Sequence, residues 1–182
     1  MIGTARLTSA PYCLREVNVT MPAKLHLIEP ILVGPTERVR SVAVKEGFDI
    51  RSVELVGSAH SHDSAAKAVE LVSAGRAEAL MKGSLHTDGL IGAAVSRQTG
   101  IRTARRINPC FIMDVPSHPD ALIITDAAIN IAPTLDDKVD IVQNAIDLAH
   151  ALGAPEVRVA VLSAMETVNT KMPSTIEAAA LC

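Results

Sequence analysis

Apolar residues along the chain follow two rhythms, short runs of aliphatic and β-branched residues and longer segments in which they recur every three to four positions. The short runs predict strands over residues 30–34, 52–57, 78–81, 111–115, 122–125 and 157–162. The longer segments predict helices over about 63–74 and 135–152. In the first of these, Ala65, Ala68, Val69 and Val72 point inward; in the second, Ile141, Ala145, Leu148 and Leu152 form a stripe that Val142, Ile146 and Ala149 widen. Gly47, Gly75, Gly100 and Gly153 each follow a helical segment and read as the left-handed residue that ends a helix. Ser61 or His62 is the expected cap of the earlier helix. Thr134 and Asp137 have the spacing of a capping box, with Asp136 and Asp140 placing negative charge near the positive helix end. Strand alternating with helix predicts an α/β fold with parallel pairing, right-handed crossovers and helices on both faces.

The two ends depart from this rhythm. Pro11, Cys13 and Pro22 interrupt the first 25 residues, and no strand is expected before Pro30. Near the other end, Met172-Pro173-Ser174-Thr175-Ile176-Glu177 opens a helix, with Pro173 suited to its first position and Ser174 to Glu177 spaced as a capping box. That helix is two or three turns long at Cys182, so the chain is expected to stop within an element.

Composition narrows the function classes. With 182 residues, 48% of them apolar but 2% aromatic, the core must be built from closely packed Ala, Val, Leu and Ile. So few aromatic rings argue against a stacking platform for nucleic acid, and a net charge of −3 supplies no general field to recruit nucleic acid or an anionic membrane. No run approaches 18 apolar residues, and no charged leader precedes an apolar stretch, so neither membrane insertion nor export is expected. Cys13, Cys110 and Cys182 lack disulfide-framework or zinc spacing, which fits a reducing cytoplasm and no metal.

The chemistry concentrates at Met81-Lys82-Gly83-Ser84-Leu85-His86-Thr87-Asp88, where a strand should meet a helix. Helix N-terminal N–H groups favour an anion there, Lys82 adds a full charge, Gly83 permits unusual backbone angles, and Thr87 is positioned to cap a helix beginning near Asp88. The spacing matches neither a Walker loop nor a dinucleotide fingerprint, and simple capping by Ser84 and Thr87 is the alternative. Arg102, Arg105 and Arg106 form a local cationic cluster, to be read either as a ligand site or as a solvated surface. Asp126 and Asn130 follow an apolar strand, at the carboxyl edge where open parallel sheets bind ligands, or in a turn in which Asp126 bonds its own backbone. Of the six histidines, His86 shares the junction with Lys82 and Ser84, and none has metal-ligand spacing.

Taken together, MKGSLHTD, RTARRINPCFIMDVP, ITDAAINIAPTLDDKVDIVQNAIDLAHALG and VLSAMETVNTKMPSTIEAAALC closely resemble the phosphate acetyltransferase and phosphate butyryltransferase family, over about residues 28–182. The resemblance implies reversible transfer of an acyl group between coenzyme A and inorganic phosphate, with a coenzyme A thioester as substrate, no bound cofactor and no metal. It implies a three-layer α/β/α fold with a mostly parallel sheet, similar to isocitrate and isopropylmalate dehydrogenases. Residues 1–104 would form a first domain and 105–182 the beginning of a second. Lys82, Ser84, His86 and Thr87 would bind phosphate or the acyl end, Arg105 or Arg106 would neutralise a phosphate, and Asp126 and Asn130 would line the facing wall of an interdomain cleft. Family members are often dimers, so a homodimer is expected. Their Ser-Arg pair with a nearby Asp, thought to carry much of the catalysis, falls beyond Cys182, so the catalytic residues are unknown and this chain is expected to be an incomplete, amino-terminal part with little activity alone. The rival readings are a noncatalytic ligand-binding or oligomerising fragment and a metal-dependent 2-hydroxyacid dehydrogenase-like enzyme.

Overall fold

The structure, a computed structural model, describes the backbone of residues 2–7 and all of residues 27–182. The irregular stretch expected around Pro11, Cys13 and Pro22 lies outside the described residues. The chain divides into two compact units, Met1–Arg102 and Thr103–Cys182.

In the first unit, strands β1 (Ile2–Leu7), β2 (Ile28–Gly34), β3 (Glu54–Gly57) and β4 (Ala79–Lys82) form one sheet in the order β3-β2-β1-β4. β2 and β3 are parallel, whereas β1 is antiparallel to both β2 and β4. Helices α1 (Thr36–Lys45), α2 (Ser61–Ser73) and α3 (Thr87–Ala94) alternate with β2, β3 and β4. α2 lies over β1, β2 and β4 and beside α3. Its Ala65 and Ala68 are fully buried, and side chains this small let the helix approach the sheet closely. Ile31 and Val33 of β2 meet Ala65, Ala68 and Leu71 of α2, with Ala77 and Leu85 completing the core. The cap of α2 is His60, whose Nδ1 accepts from the Asp63 N–H at 3.2 Å, rather than Ser61 or His62, which are helical.

In the second unit, β5 (Phe111–Met113) and β6 (Leu122–Ile124) form an antiparallel pair. They are followed by α4 (Leu135–Ala151) and α5 (Pro173–Ala180). The capping box on α4 is present in full: the Asp137 N–H donates to the Thr134 hydroxyl, and the Thr134 N–H donates to the Asp137 carboxylate. α4 buries only Ile141 and Ala149, and Leu152 at its end is exposed. α5 begins at Pro173 as expected, but Met172 is its cap residue and no side chain caps it, so the Ser174–Glu177 capping box does not form.

Three expectations are corrected. The mostly parallel, three-layer α/β/α fold of the isocitrate and isopropylmalate dehydrogenase kind does not describe these sheets, because β1 enters between β2 and β4 against their direction and β5–β6 is wholly antiparallel. A strand also exists before Pro30, since Ile2–Leu7 pairs on both sides. Residues 157–162 are not a strand. Their β-branched composition suits a pleated chain, but a ladder needs a partner edge, and Val159 and Leu162 are exposed.

Gly47, Gly75 and Gly153 have the positive φ expected of helix-ending glycines. Gly100 does not owe its place to such an angle; a Cβ there would lie 2.4 Å from the carbonyl oxygens of Ala94 and Ser96. Among the described residues, no helix is long and apolar enough to cross a membrane.

Candidate functional site

The junction between β4 and α3 is held from below by Leu85, which is 7% exposed and belongs to the core. Burying that side chain contributes on the order of 2 kcal/mol and fixes the loop, leaving Lys82, Gly83, Ser84, His86 and Thr87 exposed above it. The Lys82 ammonium donates to the carbonyl of Leu85 at 2.9 Å and of Gly83 at 3.3 Å. No carboxylate pairs with it among the described residues. His86 is the cap residue of α3 and Thr87 its first helical residue, correcting the expectation that Thr87 caps; no side chain caps this helix. The first N–H groups of α3 are therefore not satisfied by a side chain of their own cap residue. Asp88 in the first turn offsets part of the positive field.

In the second unit, Arg106, Asn130 and Asp126 are joined in sequence. Arg106 Nε donates to Asn130 Oδ1 at 2.7 Å, and Asn130 Nδ2 donates to Asp126 and, at 3.0 Å, to the Ile107 carbonyl. The Asp126 carboxylate also accepts from the backbone N–H groups of Ala128, Ile129 and Asn130 at 3.0–3.1 Å. Its burial raises the pKa, but these hydrogen bonds, led by that from Ile129, outweigh it and hold the carboxyl below its ordinary value. The self-bonding turn is thus present.

Arg105 points elsewhere. Its guanidinium bonds the Asp147 carboxylate and lies 3.4 Å from Asn144 Oδ1. The hydrogen bond to Asp147 raises the Arg105 pKa and correspondingly lowers that of Asp147. Arg106 lies 3.6 Å from Asp137, and its backbone N–H donates to Asp140 at 2.7 Å. Asp140 therefore acts beyond the first turn of α4, on the arginine segment, rather than on the helix end.

The structure brings Lys82, Ser84, His86 and Thr87 onto one loop and Arg106, Asn130 and Asp126 into one network, with Arg105 diverted to Asp147. Sequence reasoning missed Leu85, Asn108, Asn144 and Asp147. The signal for the last two lay in the spacing of Asp137, Asp140, Asn144 and Asp147, which puts them on one helical face. Among the described residues, no three His, Cys, Asp or Glu side chains gather to hold a metal ion.

Residues 53–182 match the family model described as phosphate acetyl/butaryl transferase. The phosphate acetyltransferase of Rhizobium meliloti is 59% identical over 88% of this chain and 51% of its own length. The phosphate butyryltransferase of Clostridium acetobutylicum is 37% identical over 85% of this chain and 52% of its own. Among solved structures, a branched-chain phosphotransacylase from Enterococcus faecalis V583 superposes with a TM-score of 0.60 at 31% identity, covering 71% of this chain and 46% of that one. The chain thus spans about half the length of the curated relatives it matches. The fold likeness is to a phosphotransacylase, which replaces the dehydrogenase-like expectation. With 130 of its residues matched by the family model, counted from 53 to 182 inclusive, this chain belongs to the phosphate acetyl/butaryl transferase family.

Proposed function

We propose that this chain is the phosphate- and thioester-binding part of an acyltransferase that moves an acyl group between coenzyme A and inorganic phosphate. The observation that carries the reading is the Lys82 loop in a chain of this family: an ammonium that pairs with no carboxylate among the described residues and donates to two carbonyls at the start of α3. In the forward direction a phosphate oxygen attacks the thioester carbonyl, the C–S bond breaks as the C–O bond forms, and coenzyme A leaves as thiolate, taking up a proton. Phosphate is already a nucleophile, so the protein's work is to position it and to offset charge as it develops, without a metal. Lys82 supplies charge, Ser84, His86 and Thr87 supply donors, and the N–H groups of α3 add a partial positive field. Arg106, seated on Asn130 and through it on Asp126, heads a second polar group that supports binding of phosphate-class anions, with Arg105 held beside it on Asp147. The free thiols Cys110 and Cys182 suit a reducing cytoplasm, and the family's habit suits a homodimer.

Thermal unfolding of the 182-residue chain tests the reading. Coenzyme A and phosphate are each expected to raise Tm, while magnesium with a 2-hydroxyacid and nicotinamide cofactor does not. Stabilisation by the magnesium mixture alone would overturn the acyltransferase reading in favour of a dehydrogenase.

A further inference from the structure

The segment carrying Arg105 and Arg106 is fastened by side chains to which the functional reading gives no role. On α4, Asp137, Asp140, Asn144 and Asp147 share one face, and Asn144 is central. Its Nδ2 donates to the Arg106 carbonyl at 2.8 Å and to Asn108 Oδ1 at 2.7 Å, while its Oδ1 faces the Arg105 guanidinium. The orientation of this amide is fixed by chemistry, since a carbonyl only accepts and a guanidinium only donates. Asn108 Nδ2 in turn donates to the Thr125 hydroxyl at 2.7 Å, and that hydroxyl donates to the Pro109 carbonyl at 2.6 Å. The residue before Asp126 is thereby tied to the same segment.

The two arginines have different fates within this frame. Arg105 is spent on Asp147 and Asn144. Arg106 is seated through Nε on Asn130, and its outer nitrogens form no hydrogen bond among the described residues; Nη1 is in an ion pair with Asp137 at 3.6 Å, beyond hydrogen-bond length, so the carboxylate offsets charge there without occupying a donor. A guanidinium held by its inner nitrogen presents its outer two as a fork that fits a phosphate or phosphoryl group.

We propose that Asn144 is a positioning residue that grips the backbone of Arg106 and so aims its outer fork at a phosphate-class anion, with Arg105 serving as a buttress. This rests on the acyltransferase reading, which supplies such anions as inorganic phosphate and the phosphates of coenzyme A. Asn144 touches no ligand; it acts through Arg106.

The test is calorimetric titration of the 182-residue chain with inorganic phosphate, coenzyme A and dephospho-coenzyme A, for wild type, Asn144→Ala, Arg106→Gln and the double variant. Asn144→Ala and Arg106→Gln are each expected to weaken binding of at least one ligand about tenfold, and the double variant to be no weaker than Arg106→Gln alone. The ligand that loses affinity identifies the anion: inorganic phosphate, the ribose phosphate absent from dephospho-coenzyme A, or the diphosphate. If Asn144→Ala does not fold, Asn144→Asp keeps the oxygen facing Arg105 but removes the donor to Arg106, and the same non-additivity is expected. Unchanged affinity in the Asn144 variant, or losses that multiply in the double variant, overturns the positioning role. A wild-type chain that binds none of the three overturns the acyltransferase reading and this inference with it.

Discussion

Asp126 accepts four hydrogen bonds, three from backbone N–H groups and one from the Asn130 amide, so its charge is consumed in shaping its own loop. Its pKa in the folded chain lies below the ordinary 3.8. The stability it contributes is therefore fully present above that ordinary value and is lost as pH falls through the lower, folded-state one. Acid unfolding followed by circular dichroism is expected to show a shallower fall in stability below about pH 4 for Asp126→Asn than for wild type. An identical slope would mean that the loop does not depend on this charge. Asp49 behaves alike: hydrogen bonding from Arg51 lowers its pKa to about 2, and it joins the same acid window. Both readings of Asp126 were legible in the sequence, ligand wall and self-bonded turn, and the hydrogen bonds fit the turn. What could not be read was the partial cancellation of the arginine cluster. Asp137, Asp140 and Asp147 lie 31 to 42 residues beyond Arg105 and Arg106, and only folding brings them alongside.

Elements with a strong internal period were the legible ones. α4 was readable from its apolar stripe and its capping box, because both signals are local. Thr134→Ala removes the cap and is expected to cost about 1 kcal/mol, read as a shift in urea midpoint at unchanged slope. The β4–α3 junction was recognised for its polar residues, yet its anchor is Leu85. Leu85→Ala is expected to cost about 3 kcal/mol and to weaken phosphate binding together with stability, since the loop loses its foothold in the core. Retained affinity in a folded Leu85→Ala chain would show that the loop is held otherwise. Gly100→Ala forces backbone carbonyls apart, and a loss of stability exceeding that of an ordinary exposed alanine substitution should appear in the same urea series. The expected strand at 157–162 failed for the converse reason: composition encodes a preference for extended backbone, but the partner that completes a ladder is not local.

At the scale of the whole molecule, the order of strands was the least legible feature. Ile2–Leu7 mixes Gly, Ala, Thr and Arg in six residues and gives no period, yet it pairs on both sides and sets the sheet's mixed direction. Long-range pairing of this kind follows from the fit of all strands together, not from any one of them. The family was legible because four separate blocks of residues agreed, and all four lie within residues 53–182, which the family model matches. The acyltransferase proposal stands or falls with the Lys82 loop as the seat of a phosphate-class anion. Titrating inorganic phosphate into the isotopically labelled chain and following backbone amide resonances tests it most directly. Saturable shifts are expected at Gly83, Ser84 and the first residues of α3, and they vanish in Lys82→Ala; shifts absent from this loop, or unchanged without Lys82, would show that the anion is not seated there.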